Sequence, residues 1–145
     1  MRILVMGLPG SGKTTFAEKL VEDIKAVGCR VEWFNADKIR EMYNDWDFSE
    51  EGRMRQAERM ATFAHNAETM NNIVVADFVC PTNKLRHRFN PDIVVWMDTI
   101  TKSRYEDTNQ IFEEPMKYDY RIKELDAMPW TKLIADQFKS QYNEA

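Results

Sequence analysis

One short glycine-rich segment near the start of the chain constrains the fold more than any other feature. It reads Gly-Leu-Pro-Gly-Ser-Gly-Lys-Thr over residues 7–14, and a second threonine, Thr15, follows it. An apolar run over residues 3–6 precedes it and a helical repeat of apolar residues follows, which is the strand, loop and helix order of a phosphate-binding loop. Glycines let backbone N–H groups turn towards one anion, and the helix that follows directs its positive end at the same anion.

Each position of this loop has a predicted task. Lys13 is expected to reach the β- and γ-phosphates of ATP and to act in catalysis, and the Thr14 hydroxyl is expected to ligate Mg²⁺. ATP and Mg²⁺ are therefore the expected cofactors. The competing interpretation, an ordinary glycine-rich turn, is disfavoured by the flanking strand and helix. The predicted nucleotide-binding residues are Gly7, Pro9, Gly10, Ser11, Gly12, Lys13, Thr14 and Thr15.

Length and composition are those of one soluble domain. The chain has 145 residues, of which 43% are hydrophobic and 30% charged, so we expect a single domain over 1–145 with its own core. A net charge of −4 without a basic run disfavours an extensive nucleic-acid surface. Two cysteines far apart in sequence and no apolar run of spanning length favour a cytoplasmic protein without membrane contact.

Apolar segments that alternate between strand and helix periodicity predict a parallel sheet covered by helices. The predicted strands are 2–6, 30–34, 73–79, 92–97 and 118–125. The predicted helices are 13–27, 37–43, 49–70, 82–89, 101–107 and 130–142, with a polar, mobile stretch over 108–110. This alternation predicts an α/β fold, a three-layer doubly wound parallel sheet of the P-loop NTPase/kinase type. Ligands are then expected at the carboxyl ends of the strands.

Side-chain directions within three helices follow from their spacing. The helix over 49–70 is expected to begin at Ser49 as its N-cap and to bury a stripe of small residues. The basic helix over 82–89 is expected to expose its cations, and the closing helix is expected to turn three apolar residues inward. The cations of the basic helix are Lys84, Arg86 and Arg88. The inward apolar residues of the closing helix are Leu133, Ile134 and Phe138.

Three aspartates follow or end predicted strands and are candidates for catalysis or metal binding. Asp37 and Asp77 are expected to bind Mg²⁺, and Asp77 follows an apolar run in the pattern that often holds this ion beside a phosphate-binding loop. Asp98 ends the next strand and is the weakest candidate. The competing interpretation is that an aspartate at a strand end caps a turn or the next helix.

Four further motifs follow the loop in a fixed order. They are N-A-D-K-I-R at residues 35–40, F-S-E-E-G-R at 48–53, F-V-C-P at 78–81 and M-D-T at 97–99. In this order the chain resembles the adenylylsulfate kinases over about residues 3–125. That resemblance implies transfer of the γ-phosphate of ATP to the ribose 3′-hydroxyl of adenylylsulfate, a small nucleotide-like partner, and leaves a homodimer possible.

The resemblance also implies particular roles for the residues that match. Asp37 would bind Mg²⁺-linked water or accept the proton of the acceptor hydroxyl. Arg40 and Arg53 would hold the sulfate and phosphate of the acceptor, and Phe48 and Phe78 would stack on both faces of its adenine. The implied substrate-binding residues are Asp37, Arg40, Phe48, Arg53, Phe78, Asp107 and Phe112.

The chain also departs from the pattern of this family. Asn35 and Cys80 replace an aspartate and a serine, and Asp77 replaces a small residue. In the lid, R-D-P-K-G-L-Y becomes E-D-T-N-Q-I-F over 106–112, so positive charge that would stabilise the transferring phosphoryl group is missing. Arg104 could compensate for it.

Two alternatives therefore stay open beside adenylylsulfate phosphorylation. One is a kinase for another acceptor, such as a nucleoside or nucleotide, a polynucleotide 5′ end or a small sugar acid. The other is a module that binds ATP without transferring phosphate.

Overall fold

A computed structural model describes residues 1–126 and 129–139. Its sheet has five strands in the order β2-β3-β1-β4-β5, and every neighbouring pair is parallel. The strands are β1 (Arg2–Met6), β2 (Val31–Asn35), β3 (Ile73–Asp77), β4 (Ile93–Met97) and β5 (Tyr120–Ile122). The helices are α1 (Lys13–Ala26), α2 (Ala36–Tyr43), α3 (Glu50–Thr69), α4 (Asn83–Phe89), α5 (Glu106–Ile111) and α6 (Trp130–Asp136). No helix in these ranges is both long and apolar enough to span a bilayer.

The sheet is the middle of three layers, as the sequence predicts. Successive side chains of β1 point to opposite faces, so Ile3 belongs to the core beneath α1 and α6, while Leu4 belongs to the core beneath α2, α3 and α4. Four buried alanines give α3 a narrow face, which lets that helix approach the sheet closely. They are Ala57, Ala61, Ala64 and Ala67.

The strand order positions the functional site. The connection through α1 carries the chain from β1 past the position of β3 to β2, and the later connection through α4 carries it back across β1 to β4. The chain therefore departs to opposite sides of β1, which opens a crevice at the carboxyl end of that strand. The glycine-rich loop leaves β1 at this point.

Several local predictions are confirmed. Ser49 is the N-cap of α3 and accepts a hydrogen bond at 3.1 Å from the N–H of Gly52. Ile134 and Phe138 are buried. The fifth strand is confirmed only over Tyr120–Ile122, and positions 140–142 of the predicted closing helix lie outside the described residues.

The prediction for residues 101–110 is wrong. Residues 101–105 are not helical, and residues 108–110 lie within α5. The reason is a local turn: the side chain of Asn109 accepts hydrogen bonds from the backbone and hydroxyl of Ser103, and donates to its carbonyl at 2.8 Å. These polar groups fix the segment that precedes the helix.

Two side-chain predictions are also wrong. Arg86 is buried, because its guanidinium donates to the carbonyls of Cys80 at 3.0 Å and Glu113 at 2.5 Å. Leu133 is 52% exposed, because it lies on the face of α6 that is turned away from the sheet.

Candidate active site

The glycine-rich loop wraps tightly around the end of β1. A Cβ on Gly7 would lie 2.6 Å from the carbonyl oxygen of Met97 and 2.7 Å from the hydroxyl oxygen of Ser11, so only glycine fits there. Gly12 adopts a left-handed backbone (φ 93°, ψ 18°) and is the N-cap of α1. The first turn of α1 therefore opens directly into the loop, in the arrangement that binds anions.

Lys13 stands at the start of α1, close to two carboxylates. Its Nζ donates to the carbonyl oxygen of Leu8 at 3.0 Å. Burial lowers the pKa of Lys13 to about 8, and this outweighs the opposing attraction of Asp77 and Asp37. A phosphate bound beside the lysine would favour its charged form and so raise its pKa again.

A polar network joins the loop to the ends of β2 and β3. The carboxylate of Asp77 accepts from the Thr14 hydroxyl at 3.2 Å, from the Trp33 indole at 2.6 Å and from the Asn35 amide at 3.0 Å. Asn35 and Asp77 are register partners on neighbouring strands, which explains why they meet. Burial raises the pKa of Asp77, although all three hydrogen bonds favour its charged form. Trp33 was not a predicted site residue, and its place in the network follows from sheet register.

The same network is suited to a magnesium ion. Mg²⁺ is commonly held through one or two carboxylates together with substrate phosphates and water, so it does not need a closed cage of protein ligands. Thr14 and Asp77 offer a hydroxyl and a carboxylate side by side, next to the loop. Within the described ranges no group of three or more His, Cys, Asp or Glu residues forms a cage of its own.

One cleft of about 1010 Å³ joins this loop to most of the other predicted residues. The loop contributes one wall, and α2, the segment that follows it and α3 contribute another. Gly7 and Ser11 lie beneath the loop surface. The predicted residues that line the cleft are Pro9, Gly10, Gly12, Lys13, Thr14, Thr15, Asp37, Arg40, Phe48, Arg53, Asp77, Phe78 and Asp107.

The two arginines of the cleft already have protein partners. Arg40 is 5% exposed and donates to the carbonyls of Asp45 at 2.9 Å and Asp47 at 3.1 Å. Arg53 donates to the carbonyl of Phe48 at 2.8 Å and to the Thr108 hydroxyl at 3.2 Å. Burial lowers the pKa of both guanidinium groups. Both therefore hold the protein's own loops, a task that sequence spacing does not reveal.

The three phenylalanines predicted to bind substrate differ in their exposure and in their distance from the cleft. Phe48 is 47% exposed in the cleft, with the guanidinium of Arg40 4.4 Å from its ring centroid. Phe78 is 7% exposed and packs edge-on against Phe89, with centroids 5.3 Å apart. Phe112 does not line the cleft; its ring lies 5.4 Å from the guanidinium of Arg86.

The segment between β4 and α5 supplies cationic side chains that the lid motif lacks. Lys102 and Arg104 both line the cleft, and Arg104 donates to the Tyr105 hydroxyl at 3.0 Å. Asp98, the weakest candidate, instead forms a 2.7 Å ion pair with Arg121 and does not line the cleft. The signal for Lys102 was only its nearness in sequence to the predicted lid.

The parallel sheet, the loop around β1 and the Lys13–Asp77 arrangement together define a protein with the P-loop kinase fold. The family model described as Adenylylsulphate kinase matches residues 1–103. The chain belongs to the adenylylsulphate kinase family.

Individual relatives agree with this assignment. A probable adenylyl-sulfate kinase of Aeropyrum pernix is 35% identical over 86 residues, which are 59% of this chain and 47% of that protein. A cytidine diphosphoramidate kinase of Campylobacter jejuni is 28% identical over 83 residues, 57% of this chain and 49% of that protein. The chain thus spans about half the length of the curated relatives it matches.

The fold agrees with solved structures as well. The APS kinase CysC of Mycobacterium tuberculosis, in complex with AMPPNP and APS, superposes with a TM-score of 0.73 at 17% identity. The superposition covers 98% of this chain and 96% of the mycobacterial chain. At this identity the likeness shows the shared fold.

Proposed function

We propose that this protein transfers the γ-phosphate of ATP to the ribose 3′-hydroxyl of adenylylsulfate. The observation that carries the proposal is a single cleft in which the loop at Lys13 faces Asp37 and Phe48. A kinase needs the donor phosphates and the acceptor hydroxyl held in line within one water-poor site. Membership of the adenylylsulphate kinase family makes adenylylsulfate the first acceptor to test.

The proposed reaction uses residues on both walls. Asp37 orients the acceptor hydroxyl and takes its proton as the oxygen forms a bond to the γ-phosphorus. The bond between that phosphorus and the β–γ bridging oxygen breaks, and ADP leaves with the electron pair. Lys13 stabilises negative charge on the transferring group, and the loop N–H groups hold the β-phosphate.

Thr14 and Asp77, together with Asp37 in the same cleft, would hold Mg²⁺. The ion, when bound, neutralises charge on the phosphate oxygens. Lys102 and Arg104 also line the cleft and add positive charge to it, and so take over the task of the basic lid. A cytoplasmic location and a possible homodimer stay predictions.

A second candidate is a kinase for a different nucleotide-like acceptor. Protein groups already accept hydrogen bonds from one nitrogen of Arg40 and from two nitrogens of Arg53, so only part of each guanidinium is left for a sulfate in this conformation. The substituted residues of α5 also leave that helix acidic, with Glu106 and Asp107 in its first turn. One relative of similar sequence is named cytidine diphosphoramidate kinase, and that name specifies a different acceptor.

The deciding experiment measures ADP release with Mg²⁺ and ATP against a panel of acceptors. The panel contains adenylylsulfate, nucleosides, nucleoside monophosphates, an oligonucleotide with a free 5′ hydroxyl and gluconate. We expect turnover with adenylylsulfate, loss of ATP binding in Lys13→Ala, and loss of turnover with retained ATP binding in Asp37→Asn. If another acceptor is turned over and adenylylsulfate is not, the protein is a kinase for that other acceptor. ATP binding without acceptor-dependent ADP from any of them indicates a non-catalytic module.

A further inference from the structure

Trp46 is an exposed aromatic side chain inside the cleft that the reaction proposed above does not use. It lies in the segment 44–49 between α2 and α3, lines the cleft and is 50% exposed. Its indole N–H forms no hydrogen bond within residues 1–126 and 129–139. Large aromatic side chains favour burial, so an indole left open in a concave site is typical of a ligand-binding surface.

The segment that carries Trp46 is held firmly on both sides of that residue. The side chain of Asp45 forms ion pairs with Arg55 at 2.8 Å and Arg59 at 2.9 Å. Asp47 pairs with Arg55 at 3.1 Å, and the backbone carbonyls of both aspartates accept from Arg40. These contacts fix the backbone on both sides of Trp46, which reduces the entropy lost when a ligand covers this segment.

The two aromatic residues that the family pattern assigns to the acceptor base both line the cleft, but they differ strongly in exposure. Phe48 is almost half exposed, two positions after Trp46. Phe78 belongs to the core beneath α3 and α4, and its ring is occupied by the edge-on contact with Phe89. Phe78 also lines the cleft, but only 7% of it is exposed, so it offers a planar base far less surface than Trp46 does. Trp46 is the accessible alternative.

We propose that Trp46, together with Phe48, is the surface on which the planar base of the acceptor stacks. The inference rests on the proposed function in that it takes the acceptor to be nucleotide-like. The acceptor base is favoured over that of ATP because this segment follows α2, the helix of Asp37. Met42 and Tyr43 are also exposed but lie outside the cleft, so the open aromatic surface of Trp46 is directed at a small ligand.

The test measures acceptor binding without turnover. The donor site is first saturated with Mg²⁺ and a non-hydrolysable ATP analogue, and adenylylsulfate, AMP, CMP and ribose 5-phosphate are then titrated while indole fluorescence is recorded. We expect base-containing ligands to quench the fluorescence. Trp46→Ala should weaken their binding about 5- to 150-fold, whereas Trp46→Phe should restore it to within about threefold. Met42→Ala, which changes an exposed apolar residue outside the cleft, is the control and should bind like the unmodified protein.

Three results would overturn the proposal: no quenching by any nucleotide, equal quenching by ribose 5-phosphate, or unchanged nucleotide affinity in Trp46→Ala, measured by calorimetry. An increase in the dissociation constant of the ATP analogue alone would also overturn it, because it would assign the indole to the donor. Failure of the proposed function has a different signature. Adenylylsulfate would then give no ADP, while AMP or CMP would still show the dependence on Trp46.

Discussion

Replacing Asp77 by Asn tests the contribution of this carboxylate to kcat separately from its effect on the free energy of unfolding. Burial raises the pKa of Asp77, so charging this group costs more free energy in the folded protein than in the unfolded chain. An amide at this position removes that cost. It can still accept from the Trp33 indole, but it loses charge-assisted bonds from Thr14 and Asn35, worth about 1–3 kcal/mol.

These two effects oppose each other, so we expect Asp77→Asn to change the free energy of unfolding by no more than about 1 kcal/mol. For a chain of this length that is a shift in Tm of about 2–4 °C. Since a raised folded pKa makes the aspartate less costly as pH falls, the variant should gain stability relative to the unmodified protein at pH 7. That gain in stability should shrink as the pH falls towards the ordinary carboxyl pKa of about 4.

Activity should respond far more strongly than stability. If Asp77 helps to hold Mg²⁺, its loss should lower kcat at least about 100-fold, which corresponds to about 2.7 kcal/mol of transition-state stabilisation. The assay is kcat over a MgCl₂ titration, with Tm from scanning calorimetry and MgATP affinity from titration calorimetry. Asp98→Asn is the matched control, because Asp98 also follows a strand but does not line the cleft.

Two outcomes would contradict the predictions for Asp77→Asn. A kcat within threefold of the unmodified protein, with unchanged Mg²⁺ dependence, would show that Asp77 only organises the strand ends. A Tm lower by more than 10 °C would show that the charged network supports the fold.

The remaining predictions concern Lys13 and Arg40. The pKa of Lys13 is about 8, and bound phosphates would raise it. ATP affinity should therefore be constant below pH 8 and fall about tenfold per pH unit above it, with proton uptake on binding in calorimetry. Lys13→Arg, whose side chain stays charged in this range, should remove the fall above pH 8. Arg40→Ala should leave two loop carbonyls without their donor and cost about 2–4 kcal/mol of stability by urea unfolding, with ATP affinity unchanged. A weaker acceptor affinity at unchanged stability would instead make Arg40 a substrate ligand.

The parts of this protein that depend on neighbouring residues in sequence were predictable. Residues 2–14 contain the apolar strand, the glycines that allow the tight turn and the helix start, so the loop geometry is encoded within about a dozen positions. The Ser49 cap is equally local, because the hydroxyl bonds an N–H three residues later. Alternating strand and helix segments were then enough to predict a doubly wound α/β sheet.

The partners of buried charges were not predictable in this way. Arg86 lies in a basic helix, yet its guanidinium donates hydrogen bonds to the carbonyl oxygens of Cys80 and Glu113. Glu113 is 27 positions further along the chain. The lid was mispredicted for a different reason: its turn is local, between Asn109 and Ser103 six residues apart, but a run of polar residues does not reveal which of their side chains bond to one another.

Local sequence patterns were enough to predict a phosphate-binding loop at the carboxyl edge of a parallel sheet and the motifs that accompany it. The construction of the acceptor side depended on tertiary packing. That packing buried Phe78 against Phe89, left Trp46 open in the cleft and committed Arg40 to the loop carbonyls. The physical reason is that a glycine turn is specified by its own backbone, whereas exposure and hydrogen-bond partners depend on which distant segments pack together.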